Sequence, residues 1–206
     1  MTDVAPHVHP IIDWGWAGSA LEAPSGDLHV VAPFPGGVLV ALLDGLGHGE
    51  EAAAASKAAL PVLHDHAGDS PLLLVPRCHD ALRRTRGVVM SLASFRTADS
   101  SMTWTGVGNV EGVLLRARGD PGHPDASMSV RGGVVGYQLP PLRAETLLVF
   151  PGDTLIMATD GIRGGFATGL AIEYGPQEIA ESILARFAKG TDDAHIVVAR
   201  YLGARP

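Results

Sequence analysis

Residues 44–49 of the chain read Asp44-Gly45-Leu46-Gly47-His48-Gly49, and they separate two segments of different character. Residues 38–43 before them form a continuous apolar run, which predicts a strand buried on both faces. Residues 50–60 after them are rich in alanine and begin with two glutamates, which predicts a helix with an acidic first turn. The chain therefore places a carboxylate at the end of a buried strand, in a turn where glycines allow close approach of the backbone.

This turn has three interpretations. An Asp-Gly pair is a frequent hairpin turn, but a hairpin requires a second strand, whereas a helical pattern follows here. A dinucleotide-binding loop requires its third glycine one position later, where Glu50 stands. A metal site fits the pattern, because a carboxylate at a strand end can present its oxygens to a divalent cation. The dinucleotide loop is disfavoured, and the metal site and the structural turn stay open.

Composition limits the class of protein. Of 206 residues, 46% are hydrophobic, and the formal net charge is −7. The hydrophobic share disfavours disorder, and the acidic balance disfavours a nucleic-acid or membrane-surface partner. The sequence has no apolar run near the roughly 20 residues that span a bilayer, no signal-peptide pattern and one cysteine, Cys78. We expect a single domain over residues 1–206 that acts in the cytoplasm.

Apolar patterns along the chain predict strands in clusters and helices in two places. Helices are expected over residues 50–60, 71–86 and 176–189. The main strands are expected over residues 11–21, 38–43, 88–96, 101–107, 110–116, 154–159 and 196–199. Because successive strands are not separated by helices, the pattern predicts an α+β protein with antiparallel sheets rather than a doubly wound fold.

Acidic residues recur at the edges of the predicted strands. The pairs are Asp44-Gly45, Asp160-Gly161 and Asp192-Asp193, with Gly26-Asp27 as a fourth candidate. Strand ends point their side chains toward a common rim, so acids far apart in sequence can converge there. Hard cations such as Mg²⁺ and Mn²⁺ prefer several oxygen ligands of this kind. The combination favours a metal site more strongly than any one pair does.

The order of these motifs resembles the metal-dependent protein phosphatase 2C (PP2C) superfamily, and within it the bacterial SpoIIE-type branch. The resemblance covers about residues 26–199, which we take as the motif-bearing core. Its motifs are Gly26-Asp27, the stretch at 44–49 with its alanine-rich helix, Pro151-Gly152-Asp153, Thr159-Asp160-Gly161 and Asp192-Asp193-Ala194.

The resemblance implies a fold, a cofactor and an activity. The fold is two packed antiparallel β-sheets flanked by helices, with two Mn²⁺ or Mg²⁺ ions at one end. Asp44 would bridge both ions, Asp27 and the Gly45 carbonyl would complete one, and Asp160 and Asp192 the other. A hydroxide activated by the two metals would attack the phosphorus of a phosphoserine or phosphothreonine in line. The implied substrates are phosphorylated STAS-domain proteins of the stressosome, a bacterial stress-signalling complex, and we expect a monomer.

Several residues depart from the family pattern. His195 stands where the family usually has threonine, and we expect it to point outward from its strand. His48, in the glycine-rich turn, is a candidate proton donor to the leaving oxygen, although a residue at such a position more often serves to orient the loop. Arg163, near the third motif, is a candidate phosphate contact or a solvated loop residue.

Arginine placement bears on substrate recognition. The sequence has no arginine before Arg77, so a phosphate-binding arginine near the first acid has no counterpart. Specificity would then come from docking of a protein partner. The cluster Arg83-Arg84-Thr85-Arg86 is either a solvated helix end or a contact for an acidic partner. An alternative function also stays open, in which a catalytically weak or inactive phosphatase fold sequesters a signalling protein.

Overall fold

The computed structural model describes residues 7–8, 10–117 and 122–203, which form two sheets and four helices. The first sheet contains, in spatial order, β1 (His7–Val8), β2 (Ile12–Ser19), β12 (Ala194–Tyr201), β11 (Thr154–Ala158), β7 (Glu111–Leu115) and β8 (Ala126–Ser127). The second contains β10 (Glu145–Leu148), β6 (Ser101–Val107), β5 (Val88–Arg96), β4 (Gly37–Gly45) and β3 (Asp27–Phe34), with β9 (Val130–Arg131) paired to β6. Neighbouring strands are antiparallel, except that β9 lies parallel to β6.

Helices cover the outer face of each sheet. The second sheet is covered by α1 (Gly49–Ala58), α2 (Leu60–Asp65) and α3 (Pro71–Leu82), and the first by α4 (Pro176–Phe187). Three hydrophobic clusters fill the spaces between these four layers. The predicted α+β fold, two packed antiparallel sheets flanked by helices, is therefore confirmed. Within the described ranges, no helix has the length and apolar character needed to cross a membrane.

The position of β4 between two hydrophobic cores explains its continuous apolar run. Its side chains alternate between the core that separates the two sheets and the core beneath the helices. The first set is Val38, Val40 and Leu42, and the second is Leu39, Ala41 and Leu43. Both faces are buried, so every position from 38 to 43 is apolar.

The strand registers bring the acidic motifs to one end of the sandwich. Asp27, at the start of β3, pairs with Asp44, near the end of β4. In the other sheet, Ala158 at the end of β11 pairs with Ile196 near the start of β12. Asp160, which follows β11, and Asp192, which precedes β12, therefore lie at the same end of this sheet. Residues separated by more than a hundred positions in sequence thus share one rim.

Candidate metal centre and active site

An open cleft of about 330 Å³ lies at this rim, between the two sheets. Its walls contain acidic, apolar and glycine positions from six separate segments. The lining residues are Leu21, Asp44, Leu46, Gly47, His48, Val89, Asn109, Asp160, Thr191 and Asp192. Three of the five residues expected to hold metal, Asp44, Asp160 and Asp192, therefore meet in one cavity.

Asp160 is held in the cleft by a side chain from the opposite direction. The Asn109 side-chain amide donates to Asp160 Oδ2 over 2.7 Å. Asn109 follows Gly108, whose φ of +102° is accessible to glycine at little cost, and whose Cβ would collide with Val89. The turn between β6 and β7 therefore delivers an amide that orients one carboxylate of the cleft.

Asp27 lies beside the cleft but is buried rather than part of its lining. Its side chain is 7% exposed, and Thr159 Oγ1 donates to Asp27 Oδ2 over 2.8 Å. Burial and the nearby Asp44 raise the pKa of Asp27 to about 8, against which the Thr159 hydrogen bond acts. Burial, followed by Asp160 and Asp192, raises the pKa of Asp44 to about 7. The four carboxylates thus act on one another electrostatically across the two sheets.

The donor set fits a hard divalent cation in its chemistry. All four acids offer carboxylate oxygens, and their mutual pKa effects show a concentration of negative charge that a cation would neutralise. In the ranges that the structure describes, however, no three His, Cys, Asp or Glu side chains are arranged so that they could hold a metal ion.

Gly45 has a steric role that its sequence motif did not reveal. A Cβ on Gly45 would lie 2.2 Å from the Ala52 carbonyl oxygen, so α1 crosses the end of β4 at a distance that only glycine permits. The Gly45 amide also donates to the Gly26 carbonyl over 3.1 Å, which fixes the start of β3 beside the end of β4. Gly45 is buried and does not line the cleft.

His48 lies in the cleft wall and is paired with an acid. Its Nδ1 lies 2.6 Å from Glu22 Oε2, and both side chains are mostly exposed. This contact ties the glycine-rich turn to the segment that precedes β3, which agrees with an orienting role. The candidate role of His48 as proton donor stays a prediction.

Asp193 is a site residue that the sequence did not single out by itself. It is 4% exposed, and its two carboxylate oxygens accept hydrogen bonds from the Leu21 amide over 2.7 Å and the Gly26 amide over 2.6 Å. It therefore holds the segment that leads into Asp27 against the segment that carries Asp192. The doubled acid at 192–193 was the available signal: the first faces the cleft and the second organises the backbone.

His195 corrects an expectation, because its side chain points inward rather than outward. It is 7% exposed, stacks on Trp16 with ring centroids 5.1 Å apart, and places Nε2 2.8 Å from His29 Nδ1. Burial, followed by the neighbouring His29, lowers the pKa of His195 to about 3. Its backbone amide donates to Thr159 Oγ1 over 2.9 Å, so His195 supports the residue that binds Asp27. Side chains along β12 alternate between the two faces of the sheet. The sequence alone did not show which face the side chain of His195, the second residue of the strand, would take.

Closeness in sequence to an acidic motif does not predict which arginine lies near the cleft. Arg163 donates to the Arg186 carbonyl at the end of α4, which is not a contact with the cleft. Arg86 lies beside the cleft: its Nη1 is 2.8 Å from the position of a Cβ on Gly47, and its guanidinium pairs with Glu51.

Comparison with known proteins agrees with this architecture. A two-sheet sandwich with outer helices and an acidic cleft at one end defines the PP2C class of phosphatases. The model of the family Stage II sporulation protein E (SpoIIE) matches residues 35–202. The chain belongs to the SpoIIE family of PP2C-type phosphatases and is a phosphatase by that membership.

Individual relatives extend the comparison. The phosphoserine phosphatase RsbX of Bacillus subtilis (strain 168) is 26% identical over 161 residues, which cover 76% of this chain and 77% of RsbX. A crystal structure of RsbX in complex with magnesium has a TM-score of 0.83 at 20% identity, covering 96% of this chain and 98% of that one. A structure from work on the bacterial stressosome as a modular system has a TM-score of 0.82 at 25% identity, covering 92% and 99%.

Proposed function

We propose that the chain is a Mn²⁺- or Mg²⁺-dependent phosphoserine/phosphothreonine protein phosphatase, with two ions held by Asp27, Asp44, Asp160, Asp192 and the Gly45 carbonyl. The observation that carries this proposal is the convergence of Asp44, Asp160 and Asp192 on one open cleft, from strands of both sheets. The electrostatic effect of these acids on Asp44 adds support, because a divalent cation would replace repulsion with attraction.

Each residue then has a definable task. Asp44 pairs with Asp27 across β3 and β4 and is acted on by Asp160 and Asp192 of the other sheet, so it would contribute oxygen ligands to both ions. Divalent cations, when bound, supply an activated water nucleophile and neutralise the charge that develops on the phosphoryl group. Asn109 holds the carboxylate of Asp160 in the cleft, and Thr159 fixes the buried carboxylate of Asp27 beside the cleft. His48 is in place to hold or donate a proton at the mouth of the cleft.

We further propose that the substrates are phosphorylated STAS-domain proteins of a stressosome, and that the chain acts as a monomeric single domain in the cytoplasm. RsbX is a phosphoserine phosphatase, and one of the similar structures comes from work on the stressosome. The cleft is open, and none of the described residues that line it is an arginine or lysine, which supports recognition of a protein surface rather than of a small phosphoester.

Hydrolysis of para-nitrophenyl phosphate tests the metal-dependent activity. We expect turnover with Mn²⁺, none with excess EDTA, and a loss of at least about a hundredfold in kcat for Asp160→Asn, because one oxygen ligand and one negative charge are removed. Asp65→Asn is the matched control, since it makes the same change at an exposed site on α2.

The outcomes separate the candidate functions. Turnover by Asp160→Asn equal to that of Asp65→Asn would contradict the metal-binding role of Asp160. Absence of turnover in the unmodified protein, together with no heat of Mn²⁺ binding in a calorimetric titration, would favour the alternative of an inactive sequestering module. Dephosphorylation of a phosphorylated STAS-domain protein, lost in Asp44→Asn, is the expected result for the substrate class.

A further inference from the structure

Three exposed arginines lie on segments that border the cleft, although the protein is acidic overall. Arg84 and Arg86 lie in the turn that follows α3, and Arg131 lies at the end of β9. All three are exposed, and we refer to them together as the basic rim. The net charge of the chain is −7, so a cluster of this sign is unlike the average surface of the molecule.

Direct contacts fix the first part of the basic rim to the cleft wall. The amide of Leu46, a lining residue, donates to the Gly87 carbonyl over 3.2 Å. Arg86 reaches over the next lining residue, Gly47, with Nη1 2.8 Å from where a Cβ would stand. The guanidinium of Arg86 therefore lies at this edge of the cleft.

The second part of the rim is attached through a neighbouring loop. Val88 and Val135 exchange two backbone hydrogen bonds, of 3.0 and 2.8 Å, which places the loop beside the turn that carries Arg86. The amide of Gly108 donates to the Arg131 carbonyl over 2.8 Å, directly before the cleft residue Asn109. The same loop exposes 83% of the aromatic residue Tyr137. Arginine and tyrosine are the residue types enriched at protein interfaces.

Internal ion pairs do not account for this placement. Arg83, in the same turn, pairs with Asp80 near the end of α3 and needs no further partner. Arg86 pairs with Glu51, but both side chains are about half exposed or more, so this pair can exchange with another carboxylate at small cost. Arg84 and Arg131 form no side-chain hydrogen bond or ion pair with the residues that the structure describes.

We propose that the basic rim docks an acidic segment of the phosphorylated protein substrate and so presents its phosphoserine to the cleft. This inference rests on the proposed function. The cations proposed for the cleft would balance its aspartates and hold the phosphoryl group, but none of the described lining residues is an arginine or lysine that could bind the residues flanking it. Positive charge outside the cleft attracts acidic residues that flank the phosphorylated site and adds binding energy there.

Two phosphoserine peptides of the same length test the proposal. In one, the residues flanking the phosphoserine are aspartate and glutamate, and in the other they are asparagine and glutamine. With Mn²⁺ in excess over all carboxylates, we expect kcat/KM to be about tenfold higher for the acidic peptide at low salt, from two or three exposed ion pairs. The double variant Arg84→Ala/Arg86→Ala should reduce this preference to about twofold.

A matched double variant controls for the change in net charge. Arg77→Ala/Arg96→Ala also removes two positive charges. Arg77 lies on α3 and pairs with Asp69. Arg96 lies at the end of β5, whereas the cleft residue Val89 lies near the start of that strand. This double variant should keep the tenfold preference. Equal kcat/KM for the two peptides in the unmodified protein, or equal preferences in the two double variants, would overturn the docking role. Hydrolysis of neither peptide would instead overturn the proposed function.

Discussion

The buried carboxylate of Asp27 should make the metal-free protein less stable as the pH rises. Its pKa is about 8 in the folded protein, against a reference value of 3.8, chiefly because of burial. The folded state therefore keeps a proton that the unfolded chain has lost between about pH 4 and pH 8. Because the folded state binds more protons in this window, the free energy of unfolding falls as the pH increases.

The size of the change in the free energy of unfolding follows from the difference of one bound proton over two pH units. Each pH unit within the window corresponds to about 1.4 kcal/mol for one bound proton, so the change from about pH 5 to pH 7 is at most about 2.7 kcal/mol. Relaxation of the site and entry of water reduce this to about 2 kcal/mol. Asp27→Asn should remove that share, because the amide carries no charge and its oxygen can still accept from Thr159.

Urea unfolding in EDTA at several pH values between 5 and 8 measures this effect. Asp27→Asn should be the more stable protein above neutral pH, and its free energy of unfolding should decline less steeply with pH by about 2 kcal/mol over the window. Asp44 titrates in both proteins, so a shallower slope remains in the variant. An unchanged pH slope in Asp27→Asn, with Asp65→Asn as control, would refute the raised pKa assigned to the buried carboxyl of Asp27.

Two further substitutions test the backbone frame of the cleft. Gly45→Ala should lower the free energy of unfolding by more than about 3 kcal/mol, because the new Cβ would lie 2.2 Å from the Ala52 carbonyl oxygen. Gly132→Ala, with nothing within 4 Å of its Cβ, should change it by less than about 1 kcal/mol in the same urea titration. Asp193→Ala should weaken Mn²⁺ binding at least about tenfold in calorimetry, because the Leu21 and Gly26 amides lose their acceptor. Unchanged affinity would contradict the positioning role of Asp193.

Local patterns in the sequence were sufficient for most of the elements and for the α+β class, although α2 was not expected and α3 ends at Leu82 rather than at residue 86. The apolar run of β4, the alanine-rich α1 and the apolar periodicity of α3 and α4 each predicted an element that the structure contains. The aspartates could also be predicted as candidates, because each stands at the end of a strand next to glycine or a second acid. Backbone preference and burial leave patterns within a few adjacent residues, so strands and helices can be predicted from a single sequence.

The hydrogen-bond partners of those aspartates could not be predicted from local patterns. Thr159 and Asp27 are 132 positions apart, and Asn109 and Asp160 are 51 positions apart, so no local pattern links donor to acceptor. The inward position of His195 has the same origin. Its stacking partner Trp16 belongs to a neighbouring strand, and the face that a side chain takes at a strand end depends on that neighbour.

The sequence by itself thus determined the strands, the helices and the acids at their ends, since propensity, periodicity and turn chemistry are properties of adjacent residues. Only the tertiary structure decided which acids share the cleft, which of the two at 192–193 faces it, and that Arg86 lies beside Gly47. Those relations come from strand register and from the packing of α1 and α3 on the second sheet. Register and packing are set by the whole core at once, and for that reason they become definite only when the chain is folded.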